Sequence, residues 1–355
     1  LKIQLINQEI DKKISEWGII MAKDVTLADI AARVGVSNVA VSKALSGKPG
    51  VSEELRERTK EVAARMGYVS STSTKSSANE TGNIGVIIPE STYGDAVTFY
   101  GRLYEKVVRA LYENNYYGIL ELLTKENEEA ANLPKVMLDG KVDGLIFVGQ
   151  LAENYIKRMV QQTELPVFFL DTYMPFVELD TVISDGYYGT YQLTNYLLEQ
   201  GHRNIAFVGN VDATSSIADR YWGYRRSLRE NQIEFKAEWE ISDRDENGKS
   251  FDKILFDPKG IEAYVCNNDY AAHILIRNLE ETGYRVPEDV SVVGFDNFLP
   301  TGMDEHRITT YEVDMERMAG VCVKSLIKKI KHKKYGGGIQ IVTGKLIKKQ
   351  TVKER

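Results

Sequence analysis

At 355 residues the chain is too long for one compact core, so two or three domains are expected. The net charge of −6 is unevenly held: residues 21–68 carry eight Lys/Arg against six Asp/Glu, which leaves −8 on the rest and excludes a protein that coats nucleic acid along its whole length. Two cysteines far apart, Cys266 and Cys322, exclude a disulfide framework and a paired zinc site, and neither a spanning apolar run nor a secretory leader is read, so a cytoplasmic location is expected.

Residues 1–20, placed before Met21-Ala22, are read as an extra N-terminal segment with no functional role; their helical periodicity through Ile3, Ile6, Ile10, Ile14 and Trp17 leaves an extra helix as the alternative. The informative stretch follows. Thr26 and Asp29 have capping-box spacing, and Leu27, Ile30, Ala31 and Val34 share one apolar face. Gly35 suits a left-handed C-cap, and Ser37 caps a second helix whose Val41, Ala44 and Leu45 turn inward. Asn38, Val39, Ser42 and Lys43 are left outward, where a recognition helix carries its base-edge and phosphate contacts. With Thr26, Ser37 and Ala40 they form the expected DNA-contacting set. Ser52, with Glu53 and Glu54, opens a third helix that Gly67 stops. Two helices about a tight turn, backed by a third, make a helix-turn-helix unit; a generic helical hairpin with surface serines is the plainer alternative.

After Tyr68 a polar run, Ser70 to Ser77, marks a linker over residues 69–82. From Asn83 short β-rich runs alternate with longer helical ones. Ile84–Ile88, Gly118–Leu122, Gly144–Val148 and Val167–Leu170 read as buried parallel strands with helices such as Phe99–Asn114 between them; Ile205–Val208, Ala263–Cys266 and Val290–Phe295 form a second set. Two doubly wound α/β lobes follow. No Gly-x-Gly-x-x-Gly comes after the first strand, which speaks against a dinucleotide enzyme. Ligands in such sheets sit beyond the carboxyl ends of strands, which points to Glu90 and Ser91, Asp171, Asn267 to Asp269, and Asp296-Asn297. Tyr93, Phe99, Tyr100, Trp222 and Tyr270 supply rings for an apolar sugar face. The inventory suits a carbohydrate.

The segment Val25 to Tyr68, with Val-Thr-Leu-Ala-Asp-Ile-Ala, Gly-Val-Ser, Val-Ser-Lys-Ala-Leu and Met-Gly-Tyr, closely resembles the headpiece of the lactose-repressor/galactose-repressor (LacI/GalR) family, and the resemblance continues nearly to the C-terminus. It implies an all-α helix-turn-helix headpiece (21–68) joined to a two-lobed α/β domain like the periplasmic binding proteins (83–355). Lobe 1 would take about 83–183 and 315–342, and lobe 2 about 184–314 and 343–355. It implies a repressor of carbohydrate-utilisation genes that binds a pseudo-palindromic operator as a homodimer and is controlled by a mono- or oligosaccharide between the lobes. Arg220 looks like the family's effector arginine, Asn268-Asp269 match its Asn-Asp pair, Asp296 matches the aspartate of Val-Val-Gly-Phe-Asp, and Asp171 ends the matching strand. The effector set is then Ser91, Tyr93, Phe99, Asp171, Arg220, Trp222, Asn268, Asp269 and Asp296. Purine-binding relatives carry a further arginine where Thr214 stands, so a sugar is favoured over a purine. The linker departs from the pattern: Ser70 and Ser71 replace the usual Pro-Asn pair, and Ser77 lies near the leucine that kinks the minor groove, so less operator bending is expected. The tail Gly344–Arg355 reads as a strand without a leucine heptad, favouring a dimer over a tetramer.

Plainer roles compete. Strand-end Asp and Asn often cap the next helix, and Arg220 could be a structural ion-pair partner. Asp171 and Asp296 could form a glycosidase-like pair, but a DNA-reading headpiece has no purpose in a hydrolase, so no enzyme is expected. His202 reads as a helix-end residue. The four histidines lack metal spacing, and no metal or cofactor is expected. Lys328, Lys329, Lys331, Lys333 and Lys334 read as the solvated face of a late helix, with a second nucleic-acid contact as the alternative.

Overall fold

The computed structural model describes residues 25–45, 48–66, 80–93, 98–174, 177–245, 249–300, 302–303 and 307–355. They belong to two compact units that divide between Asn79 and Glu80. The extra segment 1–20, Met21-Ala22, Gly67 and the linker up to residue 79 lie outside the described residues.

The first unit contains α1 (Leu27–Val34), α2 (Asn38–Leu45) and α3 (Glu53–Arg65). Each boundary has a local cause. The Asp29 N–H donates to the Thr26 hydroxyl at 3.3 Å while the Thr26 N–H donates to the Asp29 carboxylate at 2.8 Å, a reciprocal capping box. Gly35 takes φ +81°, a left-handed turn that only glycine enters without steric cost, and its N–H closes the helix onto the Ala31 carbonyl. The Ala40 N–H donates to Ser37 Oγ, and the Leu55 N–H to Ser52 Oγ. Ile30, Ala31, Val34, Val41 and Ala63 form a small core, with Leu27, Leu45 and Leu55 packed against it. Fully burying Ile30 contributes about 1.5–3 kcal/mol, a large share for a core of this size.

In the second unit a six-stranded parallel sheet is built from β1 (Asn83–Pro89), β2 (Tyr117–Leu123), β3 (Gly144–Val148), β4 (Val167–Leu170), β5 (Thr181–Ser184) and β11 (Ile339–Val342), in the order β11-β5-β4-β3-β1-β2. A four-stranded parallel sheet contains β6 (Ile205–Val208), β7 (Glu240–Ile241), β8 (Ala263–Cys266) and β9 (Ser291–Val293), ordered β7-β6-β8-β9. β10 (Thr310–Glu312) and β12 (Lys345–Ile347) pair antiparallel. The helices between strands are α4 (Glu90–Tyr93), α5 (Phe99–Glu113), α6 (Lys125–Glu129), α7 (Lys135–Leu138), α8 (Glu153–Gln162), α9 (Gly186–Glu199), α10 (Ser215–Glu230), α11 (Asp269–Glu281) and α12 (Met315–Ile330). The chain passes between the sheets after β5, between β10 and α12, and after β11. These three crossovers put the carboxyl ends of both sheets on one cleft.

The strands expected from apolar runs form, and Thr181–Ser184, Glu240–Ile241 and Ile339–Val342 join them. The tail corrects the expectation for Gly344–Arg355. Only Lys345–Ile347 is a strand. Further on, the Thr351 hydroxyl takes over ladder bonds, donating to the Val292 carbonyl and accepting the Thr309 N–H, so the tail docks on β9 without extending the sheet. Among the described residues, no helix is long and apolar enough to cross a membrane.

Candidate functional site

Two surfaces can act on other molecules. In the first unit, Asn38 and Val39 stand exposed on the first turn of α2, with Val39 65% accessible. Thr26 and Ser37 are exposed with their oxygens used as caps, and Ala40 is half-buried. Ser42 and Lys43 are less outward than expected. Both are half-buried, and the Lys43 ammonium folds toward Gly50, where an added methyl would meet it at 3.3 Å.

In the second unit, the cleft gathers buried polar groups at strand ends. Asp171, directly after β4, is held at φ +62°, and Asp296, just beyond β9, at φ +89°, conformations that cost free energy in a non-glycine residue and recur at binding sites. Asp171 accepts a hydrogen bond from the Tyr100 hydroxyl at 3.2 Å. Burial raises its carboxyl above the usual range, while Arg220, Tyr100 and Ser184 pull it back. Burial likewise pushes the Asp296 carboxyl to about 7 against the pull of Arg220. Arg220 itself is buried on α10. Its Nη1 donates to the Asn267 carbonyl at 2.7 Å, its guanidinium lies 4.1 Å from the centre of the Phe295 ring, and its Nε has no hydrogen-bond partner among the described residues. Next to it Asp219 accepts from the Tyr173 hydroxyl at 2.7 Å, tying α10 to the loop that follows β4. Phe99 meets Phe298 edge-on at 6.2 Å, another contact between the two lobes.

The remaining expected residues sit differently. Asp269 lies behind Asp296: its carboxylate accepts the Phe298 N–H that Asp296 also accepts, both at 3.1 Å, and a methyl on Gly294 would collide with its Oδ1. Burial, then the Asp296 charge, raises its carboxyl well above the ordinary value. It supports the loop that carries Asp296. The Asn268 side chain is committed as the N-cap of α11, accepting the Ala271 N–H at 2.7 Å. Ser91 is exposed on α4, and Tyr93 packs edge-on against Tyr104. Trp222 does not join the cleft. Two residues past Arg220, it falls on the opposite side of α10, is 55% exposed, and lines an outer groove with Tyr187, Arg226 and Arg229. Thr214 caps α10 through its hydroxyl.

Sequence reasoning missed the floor of lobe 2. Asp243 accepts from Arg244 at 2.8 Å, from the Asn267 amide at 2.8 Å and from the Asn210 N–H at 3.0 Å; burial alone would raise its carboxyl, but Arg244 and these donors hold it below the ordinary value. Asp243 and Arg244 follow β7, a two-residue strand with no apolar run to announce it. No cluster that could hold a metal ion occurs among the described residues.

Residues 26–71 match the family of bacterial regulatory proteins, lacI family, and residues 194–352 match a periplasmic binding protein-like domain. The helix-turn-helix is thus a lacI-family DNA-binding domain, and the larger unit carries a periplasmic binding protein-like domain. An Aliivibrio fischeri relative, the HTH-type transcriptional repressor PurR, is 27% identical over 87% of this chain and 92% of its own; the Vibrio cholerae PurR is 25% identical over 93% and 98%. The solved complex of the transcriptional regulator CelR with cellobiose overlays with a TM-score of 0.66 at 22% identity, covering 92% of this chain and 99% of that one. The Lac repressor dimer bound to operator and the anti-inducer ONPF gives 0.63 at 22% identity, covering 93% and 100%. With this domain and these relatives, the chain is a DNA-binding transcriptional repressor and not an enzyme.

Proposed function

We propose that the effector is a neutral, hydroxyl-rich sugar held between the lobes, and that it controls repression of carbohydrate-utilisation genes. The observation that carries this reading is the charge balance of the cleft: the buried carboxyls of Asp171 and Asp296 face the buried Arg220, whose Nε has no partner among the described residues, while the nearby Arg244 is taken by Asp243. Such a site offers acceptors to hydroxyl donors and one donor to a ring or hydroxyl oxygen, and it disfavours an anion. Asp171, Arg220 and Asp296 bind the hydroxyls, Phe99 packs on the ring, and Asp269 positions the Asp296 loop. The same fold is seen with cellobiose in CelR and with D-xylulofuranose in a regulator from Alkaliphilus metalliredigens QYMF. Asn38, Val39 and Lys43 read the operator, and a cytoplasmic homodimer presents two such helices to two half-sites. Effector binding changes the closure across contacts such as Tyr173 to Asp219 and Phe99 to Phe298.

A thermal-shift screen of mono- and disaccharides alongside purine bases tests the effector. A sugar is expected to raise the melting temperature, since it binds only the folded state, and to change operator affinity. Stabilisation by a purine and by no carbohydrate would overturn the reading.

A further inference from the structure

The opposite end of the six-stranded sheet carries the opposite charge. Helix α12 finishes there: a methyl on Gly144, at the start of β3, would meet Ile330 Cδ1 at 3.1 Å, and the Lys329 Nζ donates to Asp180 at 2.6 Å and to the Val167 carbonyl at the start of β4. The chain enters the unit at this same edge. The Thr81 and Gly82 N–H groups donate to the Asp143 carboxylate at 2.6 and 2.7 Å, and the Tyr117 N–H donates to the Gly82 carbonyl. The Lys331 ammonium lies 5.7 Å from the centre of the Tyr116 ring, and the Lys141 carbonyl accepts from the Asn83 amide. Lys141, Lys328, Lys331, Lys333 and Lys334 are all exposed around this entry point. Lys324, Lys328 and Lys331, at helical spacing, continue the stripe along α12. Two of the nearest carboxylates are already committed: Asp180 is taken by Lys329, Tyr335 and the Gly338 N–H, and Asp143 by the entering backbone.

We propose that this lysine surface is a second, sequence-independent contact to DNA phosphates. The helix-turn-helix that holds the operator is tethered to this edge through residues 67–79, whose contour is at most about 45 Å, so phosphates flanking the bound half-site are within reach. In a chain whose body is acidic, five exposed lysines gathered at the tether create a local potential that attracts DNA. The surface lies at the amino ends of the strands and the effector cleft at their carboxyl ends, so the contact adds affinity without reading sequence or ligand.

The test uses the full chain with Lys328, Lys331, Lys333 and Lys334 changed to Gln, and a control with Lys236, Lys249, Lys253 and Lys259 changed instead, an equal loss of charge on the other lobe. Operator affinity is measured between 50 and 200 mM salt on duplexes with long flanks. Each lost phosphate contact flattens the slope of log affinity against log salt by about 0.9, so losing two shrinks the affinity drop across that range by about tenfold. The α12 variant is expected to show this flattening, with an unchanged selected consensus and melting temperature, and the control to keep the wild-type slope. Equal slopes in the α12 variant and wild type, or equal flattening in both variants, would overturn the proposal.

Discussion

The helix-turn-helix unit and the interlobe cleft solve opposite problems. In the first, the core is apolar but for Thr59, whose hydroxyl donates to the Leu55 carbonyl, most other polar groups serve as caps or stay in solvent, and the side chains proposed to meet DNA, Asn38 and Val39, are exposed. In the cleft, the groups proposed to meet a ligand are buried carboxyls and a buried arginine, with backbone conformations at Asp171 and Asp296 that cost free energy. Reading DNA needs spare surface donors whose loss leaves the fold intact, whereas sensing a small molecule needs desolvated charges that the fold must compensate. Substitutions should therefore separate cleanly by region.

The largest effect is expected from Ile30→Ala, which empties a fully buried site in the smaller core and should cost about 2–5 kcal/mol. Operator binding should collapse while the melting of the larger unit and effector binding persist; loss of effector binding in this variant would erase the separation. Next, Arg220→Ala should weaken effector binding by about 1.5–3 kcal/mol, as for hydrogen bonds to a charged group, measured by calorimetry. An unchanged sugar affinity would remove Arg220 from the site. On the DNA side, Asn38→Ala should relax base preference at one operator position by about 1–3 kcal/mol, and Lys43→Ala by less, because its ammonium folds toward Gly50; site selection with both variants checks the order. The smallest change is in pH. The folded state keeps a proton on Asp296 that the unfolded chain releases near pH 4, so its contribution to folding stability is lost as pH rises from about 4 to about 7. Ligand hydroxyls that donate to the ionised carboxylate should then bind more tightly above pH 7 than below it. A flat pH profile of sugar affinity that matches Asp296→Asn would contradict that role.

The two regions also differed in how legible they were. The helix-turn-helix could be read almost in full, because its caps and its apolar face are local: Thr26 with Asp29, Gly35 and Ser37 sit within a few residues of what they bond. The parallel strands were legible wherever an apolar run announced them. Glu240–Ile241 was too short to do so, and Asp243 and Arg244 behind it, the partners of the already singled-out Asn267, were missed with it. In the cleft, strand ends pointed to Asp171 and Asp296 and the family resemblance to Arg220, but neither told which way a side chain points. Trp222 fell on the far side of α10 and Asn268 was taken up by its own helix, outcomes fixed by helical phase and capping.

The central claim is that ligand and operator are served by separate residue sets coupled only through lobe closure. Operator affinity of full-length Arg220→Ala, measured with and without the sugar that stabilises the wild type, tests it most directly. The account predicts a ligand-free affinity equal to that of the wild type and no response to the sugar. A variant that still responds fully, or one that has lost operator binding without ligand while remaining folded, would contradict it.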